Sequence, residues 1–167
     1  QHAGREALSE MRRMLGLLRD GHAAALDLAP QPTVNDLHHV VQQCTDSGIP
    51  TRLTIDGEPT NGSVGHEMAA YRIAQEALTN VIKHAGRPAQ AMVRVQYRPD
   101  DIRLEVTDDG VGATAHDIDT TTGHGLVGMR ERVELYGGDL RIGPRPGGGF
   151  RIAATIPFDH EPGRQAR

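Results

Sequence analysis

The sequence predicts an α/β fold in which one sheet carries helices on one face and meets solvent on the other. Apolar and polar residues alternate in the predicted strands, which is typical of a sheet with a single buried face. Between those strands, apolar residues recur at helical spacing and form stripes that can cover the buried face. A doubly wound parallel sheet is disfavoured, because its strands would be continuously apolar.

The composition narrows the class of protein. The 167 residues suit one domain with a short appended element, and the net charge of −4 gives no overall case for nucleic acid as a direct partner. The one cysteine, Cys44, follows two valines in an apolar pattern, so we interpret it as buried filler rather than a reactive thiol. No apolar run approaches the roughly 20 residues that span a membrane.

The chain begins with neither an initiator methionine nor a signal-peptide pattern, which indicates a cut within a longer protein. Residues 4–20 are predicted to form a helix whose apolar stripe suits either the domain's own core or a partner helix. Prolines mark a boundary at 29–32. The predicted organisation is therefore an N-terminal segment (1–28), a linker (29–32), a main domain (33–158) and a polar, frayed tail (159–167).

The main domain alternates between predicted helices and strands. The helices cover about 34–47, 64–85 and 126–136, and the strands lie within 51–56, 89–97, 102–108, 139–143 and 150–157. Residues 110–125 form a loop rich in Gly, Thr, Asp and His, without any periodicity.

Three glycines, Gly123, Gly125 and Gly128, have the G-x-G-x-x-G spacing of a dinucleotide-binding turn. That turn needs a strand directly before its first glycine, and here the preceding residues are polar, so NAD binding is disfavoured. The glycines still open a helix whose first N–H groups attract anions, phosphate above all. A flexible loop followed by an ordinary helix is an equally good interpretation of this motif alone.

The predicted helix at 64–85 carries a polar face. Arg72, Glu76, Asn80 and Lys83 lie on that face, with His84 at its margin. Asn is a poor residue for the middle of a helix, which favours a functional reason for Asn80. Carboxylate and amide oxygens suit Mg²⁺ and an ammonium suits phosphate, so this face could hold both. The alternative is a solvated charged face.

The strand "IRLEVTD" ends in a carboxylate of inward parity. Asp108 shares the parity of the apolar residues before it, whereas Asp109 would point outward. A buried carboxylate needs a donor, which a base amino group or a bound water could supply. Turn capping by Asp108 is the open alternative. Gly110 and Gly112 give a tight, exposed backbone beside it.

Taken in order, these stretches resemble the ATP-binding catalytic domain of sensor histidine kinases, in the superfamily of gyrase-type, heat-shock-chaperone and mismatch-repair ATPases. "QEALTNVIKHA" is similar to the family's N box, "DDGVG" to its first glycine box, "GHGLVGMRERV" to its second, and "GGGFRIAATIP" to the closing hairpin strand. The second glycine box is most like that of the subfamily that signals to LuxR-type response regulators. "REALSEMRRMLGLLRD" resembles the end of that subfamily's dimerisation and phosphotransfer helices.

The resemblance implies a two-layer α/β sandwich of the Bergerat type, with a mixed, largely antiparallel sheet and with ATP between the helices and a mobile lid at about 113–125. It implies that Asp108 accepts a hydrogen bond from the adenine amino group. Asn80 and Glu76 would lie at the Mg²⁺ ion, with Glu76 as the catalytic acidic residue. The remaining nucleotide-binding positions implied are Lys83, His84, Gly110, Gly112, Gly123, Gly125, Leu126 and Gly128.

The implied activity is transfer of the γ-phosphate of Mg·ATP to a histidine of the protein's own dimerisation domain, for relay to a LuxR-type response regulator. The family's acceptor histidine precedes an acidic residue on the first dimerisation helix, and neither His2, His38-His39 nor His66 fits that description. We therefore expect the acceptor upstream of residue 1, in a homodimer, so that this fragment binds ATP without phosphorylating itself. We expect a cytoplasmic domain whose parent could be membrane-anchored.

Two other functions remain open from the sequence. One is a serine kinase of the anti-sigma-factor type with the same fold, and the other is a non-catalytic nucleotide-binding regulatory module. The helix at 4–20 disfavours the first, and intact Glu76, Asn80 and Asp108 disfavour the second.

Overall fold

The computed structural model describes residues 30–59, 61–111 and 125–158. Within these ranges the strands are β1 (Thr51–Asp56), β2 (Ala91–Tyr97), β3 (Asp101–Asp108), β4 (Asp139–Pro144) and β5 (Phe150–Pro157). The helices are α1 (Leu37–Asp46), entered through a 3₁₀ turn (Val34–Asp36), α2 (Val64–His84) and α3 (Gly125–Glu134). The predicted elements of these ranges are confirmed with small differences at their ends. The helix predicted at 4–20, most of the predicted lid and the tail at 159–167 lie outside the described residues.

The five described strands form one sheet in the order β1-β2-β3-β5-β4. β1 and β2 pair in parallel, because α2 carries the chain back across the sheet between them. The other three pairs of neighbours are antiparallel. The predicted mixed, largely antiparallel sheet is thus confirmed.

The two faces of the sheet differ as the alternating pattern predicts. In β2, Ala91, Val93 and Val95 are buried, whereas Met92 and Arg94 between them are exposed. Arginines on the solvent face pair with acidic side chains, as in Arg94–Asp56 at 3.0 Å. Such exposed pairs contribute only about 0–1 kcal/mol each. The fold is therefore stabilised mainly by the apolar layer beneath the helices.

Helix α2 forms the centre of that layer. It packs against β3 and β5 and against both α1 and α3, and its apolar face is almost entirely buried. Cys44, on α1, is fully buried in the same core, and burial raises the pKa of its thiol. The interpretation of Cys44 as buried filler is confirmed.

His66 fastens the start of α2 to the end of the sheet. Its Nδ1 accepts hydrogen bonds from the N–H (3.1 Å) and hydroxyl (2.7 Å) of Ser63, and its Nε2 donates to the Pro157 carbonyl at 3.1 Å. The ring packs against Tyr136 and Phe158, with centroids 4.4 and 5.4 Å away. The side chain is only 2 % exposed. Both ring nitrogens of His66 are thus engaged in hydrogen bonds within the fold.

The burial of His66 predicts a pH dependence of stability. Burial lowers the pKa of His66 in the folded chain, so below about pH 6.5 the unfolded chain binds a proton that the folded chain excludes. The free energy of unfolding should therefore fall as the pH drops from about 6.5 toward the lower folded pKa. Urea unfolding at a series of pH values measures this. His66→Gln should flatten the decline, and His38→Gln, at an exposed position of α1, should not. Parallel curves for His66→Gln and the wild type would contradict the assignment.

Candidate functional site

The polar face predicted on α2 is present. Arg72, Glu76, Asn80 and His84 are half-buried and Lys83 is exposed, while the apolar residues of the opposite face lie in the core. Glu76 and Asn80 are one helical turn apart and project from the same side. A carboxylate and an amide oxygen are thus available next to each other at the surface of the central helix.

Asp108, the last residue of β3, points inward as its parity predicts. It is 5 % exposed, whereas Asp109 is exposed. Its Oδ1 accepts a hydrogen bond from the Gly110 N–H at 2.9 Å, so the predicted turn cap is also present. The two predictions are compatible, since a carboxylate has about four acceptor sites on its two oxygens.

Opposing influences act on the charge of Asp108. Burial raises the pKa of its carboxyl, and the neighbouring charge of Asp109 adds to that. The N–H groups of Gly110 and Phe150 and the guanidinium of Arg145 lower the pKa again. Asp108 is thus a buried acid whose ionised form depends on specific donors around it.

Gly110 ties the end of β3 to the end of α2. The exposed backbone predicted for Gly110 is wrong: the residue is buried, because it packs so closely on α2 that an added Cβ would overlap the carbonyl of Ala85, the C-cap of that helix. Gly86, which follows Ala85 directly after the end of α2, has a φ of +71°. The first glycine box therefore docks directly on the helix that carries the N box.

The start of α3 lies against Glu76. A Cβ added to Gly125, the first residue of α3, would overlap Oε1 of Glu76. Leu126 and Gly128, in the first turn, are half-buried, and the Gly128 carbonyl accepts a hydrogen bond from Arg132 at 2.8 Å. The structure thus brings the second glycine box onto the N box. Gly112 and Gly123 lie outside the described residues.

Polar contacts of Arg145 and of Glu67 are absent from the sequence-based prediction. Arg145 donates a hydrogen bond to the Asp108 carbonyl at 3.0 Å. Glu67 is 9 % exposed, and its Oε2 accepts from the Tyr97 hydroxyl at 2.9 Å and the Val34 N–H at 3.2 Å. Burial and the Glu67 carboxylate raise the pKa of Tyr97. Neither pair has a sequence signal, because each joins residues that are more than 25 positions apart.

Within the described ranges, three or more His, Cys, Asp or Glu side chains do not gather anywhere in a way that could hold a metal ion. A complete protein cage for a metal is thus not seen there. Mg²⁺ in nucleotide sites commonly uses one or two protein ligands together with phosphate oxygens, so Glu76 and Asn80 fit that pattern. Among the same residues, no helix combines the length and apolarity needed to cross a membrane.

Comparison with known families agrees with this geometry. Residues 65–160, more than half of the chain, match the family described as histidine kinase-, DNA gyrase B-, and HSP90-like ATPase. The chain belongs to this family. The match covers α2 from its second residue and every described strand and helix after it, and so includes the contacts of Gly110 and Gly125 with α2. Membership of an ATPase family implies that the nucleotide is ATP and gives no support for NAD.

Curated relatives of this ATPase domain are sensor kinases. It is 27 % identical over 152 residues to the sensor histidine kinase LnrJ of Bacillus subtilis, covering 91 % of this chain and 35 % of LnrJ. It is 30 % identical to the signal transduction histidine-protein kinase/phosphatase DegS of Brevibacillus brevis (94 % of this chain, 39 % of DegS). It is 32 % identical to UhpB of Salmonella typhimurium, which has the same description (88 % and 28 %). The chain thus spans well under half of each relative.

Solved histidine kinase domains share the fold. The histidine kinase domain of the blue-light activated kinase EL346 of Erythrobacter litoralis aligns with a TM-score of 0.60 and 21 % identity, over 74 % of this chain and 63 % of that domain. The mycobacterial sensor histidine kinase MprB aligns with a TM-score of 0.55 and 21 % identity (74 % and 91 %). The predicted two-layer α/β fold is confirmed.

Proposed function

We propose that this chain is the ATP-binding catalytic domain of a sensor histidine kinase, which in the full protein transfers the γ-phosphate of Mg·ATP to a histidine of the dimerisation domain. The observation that carries the proposal is the convergence of both glycine boxes on α2: Gly110 against its end and Gly125 against Glu76. The two contacts are about 13 Å apart along the helix, so a ligand that touches both is extended.

The end of the site near Gly110 suits the adenine. Asp108 is buried and would accept the hydrogen bond of the adenine amino group, with Gly110 and Gly112 flanking the ring. An ionised acceptor in a buried position discriminates strongly, because an analogue without the amino group removes one of the few donors that the carboxylate has there.

The end near Gly125 suits the phosphates. Asn80 and Glu76 would supply oxygen ligands to Mg²⁺, with Glu76 also acting next to the transferred phosphate. Lys83 and His84 would contact phosphate, and the N–H groups at the start of α3 would add to that charge stabilisation. The other residues of this end are Gly123, Gly125, Leu126 and Gly128. The contribution of this domain to catalysis would be mostly positioning and charge neutralisation.

The partners follow from the kinase assignment. The phosphate acceptor would lie on the protein's own dimerisation domain, in a homodimer, and a LuxR-type response regulator would receive the phosphate. The similarity of residues 5–20 to dimerisation helices supports the dimerisation domain as a partner. The sequence of the second glycine box supports the LuxR-type response regulator. The domain would act in the cytoplasm, where ATP is available.

Calorimetric titration with ATP, ADP and NAD⁺, each with and without Mg²⁺, tests the nucleotide assignment. We expect micromolar binding of ATP and ADP and none of NAD⁺. A wild-type chain that binds neither adenine nucleotide would contradict the proposal. Adding the dimerisation segment of the parent should then yield acid-labile phosphohistidine; acid-stable phosphoserine on a partner protein would favour the anti-sigma-factor-type kinase instead.

Asn80→Ala is expected to weaken Mg·ATP binding about tenfold and metal-free ATP binding much less, because the change removes an oxygen ligand of the metal. Alanine is a better helix former than asparagine, so the substitution should not destabilise α2. Gln43→Ala, which removes an exposed amide from α1, is the matched control and should change neither value. Equal losses with and without Mg²⁺ would contradict the role of Asn80 as a metal ligand.

A further inference from the structure

The turn between β4 and β5 lies against the end of β3. Arg145 opens this turn; its N–H donates to the Gly149 carbonyl at 3.0 Å, and its own carbonyl accepts from the Gly148 N–H at 3.1 Å. Gly147, Gly148 and Gly149 all have positive φ, between 84° and 109°. These glycines allow a compact turn, which places the backbone of Arg145 at a defined position.

This turn reaches the backbone of Asp108 at two points. A Cβ added to Gly149 would overlap the Asp108 carbonyl, so the glycine permits the close approach. The Arg145 Nη1 donates to that same carbonyl at 3.0 Å. On its other side, the strand end is held by Gln90 and Asp109: the Asp109 N–H donates to the Gln90 carbonyl at 3.1 Å, and the Gln90 N–H to Asp109 Oδ1 at 2.6 Å. Asp108 is thus held between the start of β2 and the β4–β5 turn.

The positive charge of Arg145, in this turn, also acts on the Asp108 carboxyl. Among the described residues, the charged side chains that act on its carboxyl are Asp109, in its own turn, and Arg145, from the β4–β5 turn. Burial and Asp109 raise the pKa of Asp108, and Arg145 opposes both. The Arg145 guanidinium, from a different hairpin, therefore joins the N–H groups of Gly110 and Phe150 in favouring the ionised carboxylate.

We propose that Arg145 is a positioning residue for nucleotide recognition: through its hydrogen bond to the Asp108 carbonyl it holds the end of β3, and with it the Asp108 carboxylate, in place as the acceptor for the adenine amino group. This inference rests on the proposed function, because the proposed function is what assigns Asp108 to the adenine amino group. Arg145 is itself exposed, so its side chain can be changed without opening the core.

The test compares Arg145→Met and Arg145→Lys with the wild type, and Arg141→Met serves as the matched control. Arg141 is an exposed arginine on the neighbouring strand β4, and it pairs with Asp139 instead of Asp108. Carbon-13 NMR follows the titration of the Asp108 carboxyl in the nucleotide-free chain, with Asp108→Asn to assign the signal. Calorimetry gives the ATP affinity of each variant as a function of pH.

We expect Arg145→Met to raise the titration midpoint of Asp108 and to weaken ATP binding about three- to tenfold, with the larger loss at lower pH. Arg145→Lys should restore the midpoint, because it restores the charge, and Arg141→Met should change neither quantity. An unchanged midpoint and affinity in Arg145→Met, while the wild type binds ATP, would overturn this inference alone. Failure of the wild-type chain to bind ATP would instead contradict the proposed function.

Discussion

Asp108→Asn is expected to weaken ATP binding by about 1–3 kcal/mol, the cost of losing a charged, buried hydrogen-bond partner. The amide can still present an oxygen to the Gly110 N–H, now at 2.9 Å from Oδ1, so the turn should survive the change. What is lost is the negative charge that the adenine amino group would meet. Calorimetric titration of the variant with ATP measures the loss.

The same variant should be more stable than the wild type without nucleotide. Burial raises the folded-state pKa of Asp108 above its unfolded value, so its favourable contribution is present below about pH 3.9 and is lost as the pH rises through the folded pKa. At neutral pH the ionised, buried carboxylate therefore destabilises the chain, and a neutral amide removes that cost. Higher stability with weaker binding is typical of a functional site.

Urea unfolding of Asp108→Asn at pH 7 checks the stability half of this prediction. Asp100→Asn is the matched control, because Asp100 is exposed in the turn at the opposite end of β3 and should affect neither stability nor affinity. Undiminished ATP affinity in Asp108→Asn would exclude Asp108 as the adenine acceptor. Lower stability would show that the charge itself holds the turn.

Gly110→Ala is expected to destabilise the chain by about 3 kcal/mol. The added methyl group would overlap the carbonyl of Ala85, which is backbone at the end of α2 and cannot rotate away as a side chain would. Either the end of β3 or the end of α2 must move, and both border the candidate adenine site. Loss of ATP affinity should therefore accompany the loss of stability.

Gly143→Ala is the control for a glycine-to-alanine change in the same sheet. Gly143 lies in β4 and has open space where its Cβ would be, so alanine should change stability by less than about 1 kcal/mol. Guanidinium chloride unfolding of both variants compares the two positions. Similar stability in Gly110→Ala and Gly143→Ala would show that the β3 turn does not press on α2.

The elements could be predicted because they obey local periodicities. The alternation in β3 even placed Asp108 on the buried side, since a strand turns its side chains to opposite faces regardless of what lies beyond. The helical face with Glu76 and Asn80 follows in the same way from the helical repeat. Such predictions need only the residues of the element itself.

Contacts between distant elements could not be predicted in this way. Whether Arg145 reaches Asp108 depends on the pairing of β5 with β3, and the sequence of a strand does not predict which strand pairs with it. The contact of Gly125 with Glu76 likewise depends on how α3 packs on α2. The roles of the nucleotide-site residues stay predictions from the family resemblance, and Gly112 and Gly123 also lie outside the described residues.

The complete burial of Cys44 makes the chain suitable for site-specific labelling. It is the single cysteine of the sequence, it lies in the core, and burial raises its thiol pKa, so little reactive thiolate forms. A cysteine introduced at Val127, which is 52 % exposed on α3, would react in its place with a thiol-directed fluorophore. Fluorescence from that position would then report on the start of α3 as nucleotide binds, in a chain that keeps its own cysteine.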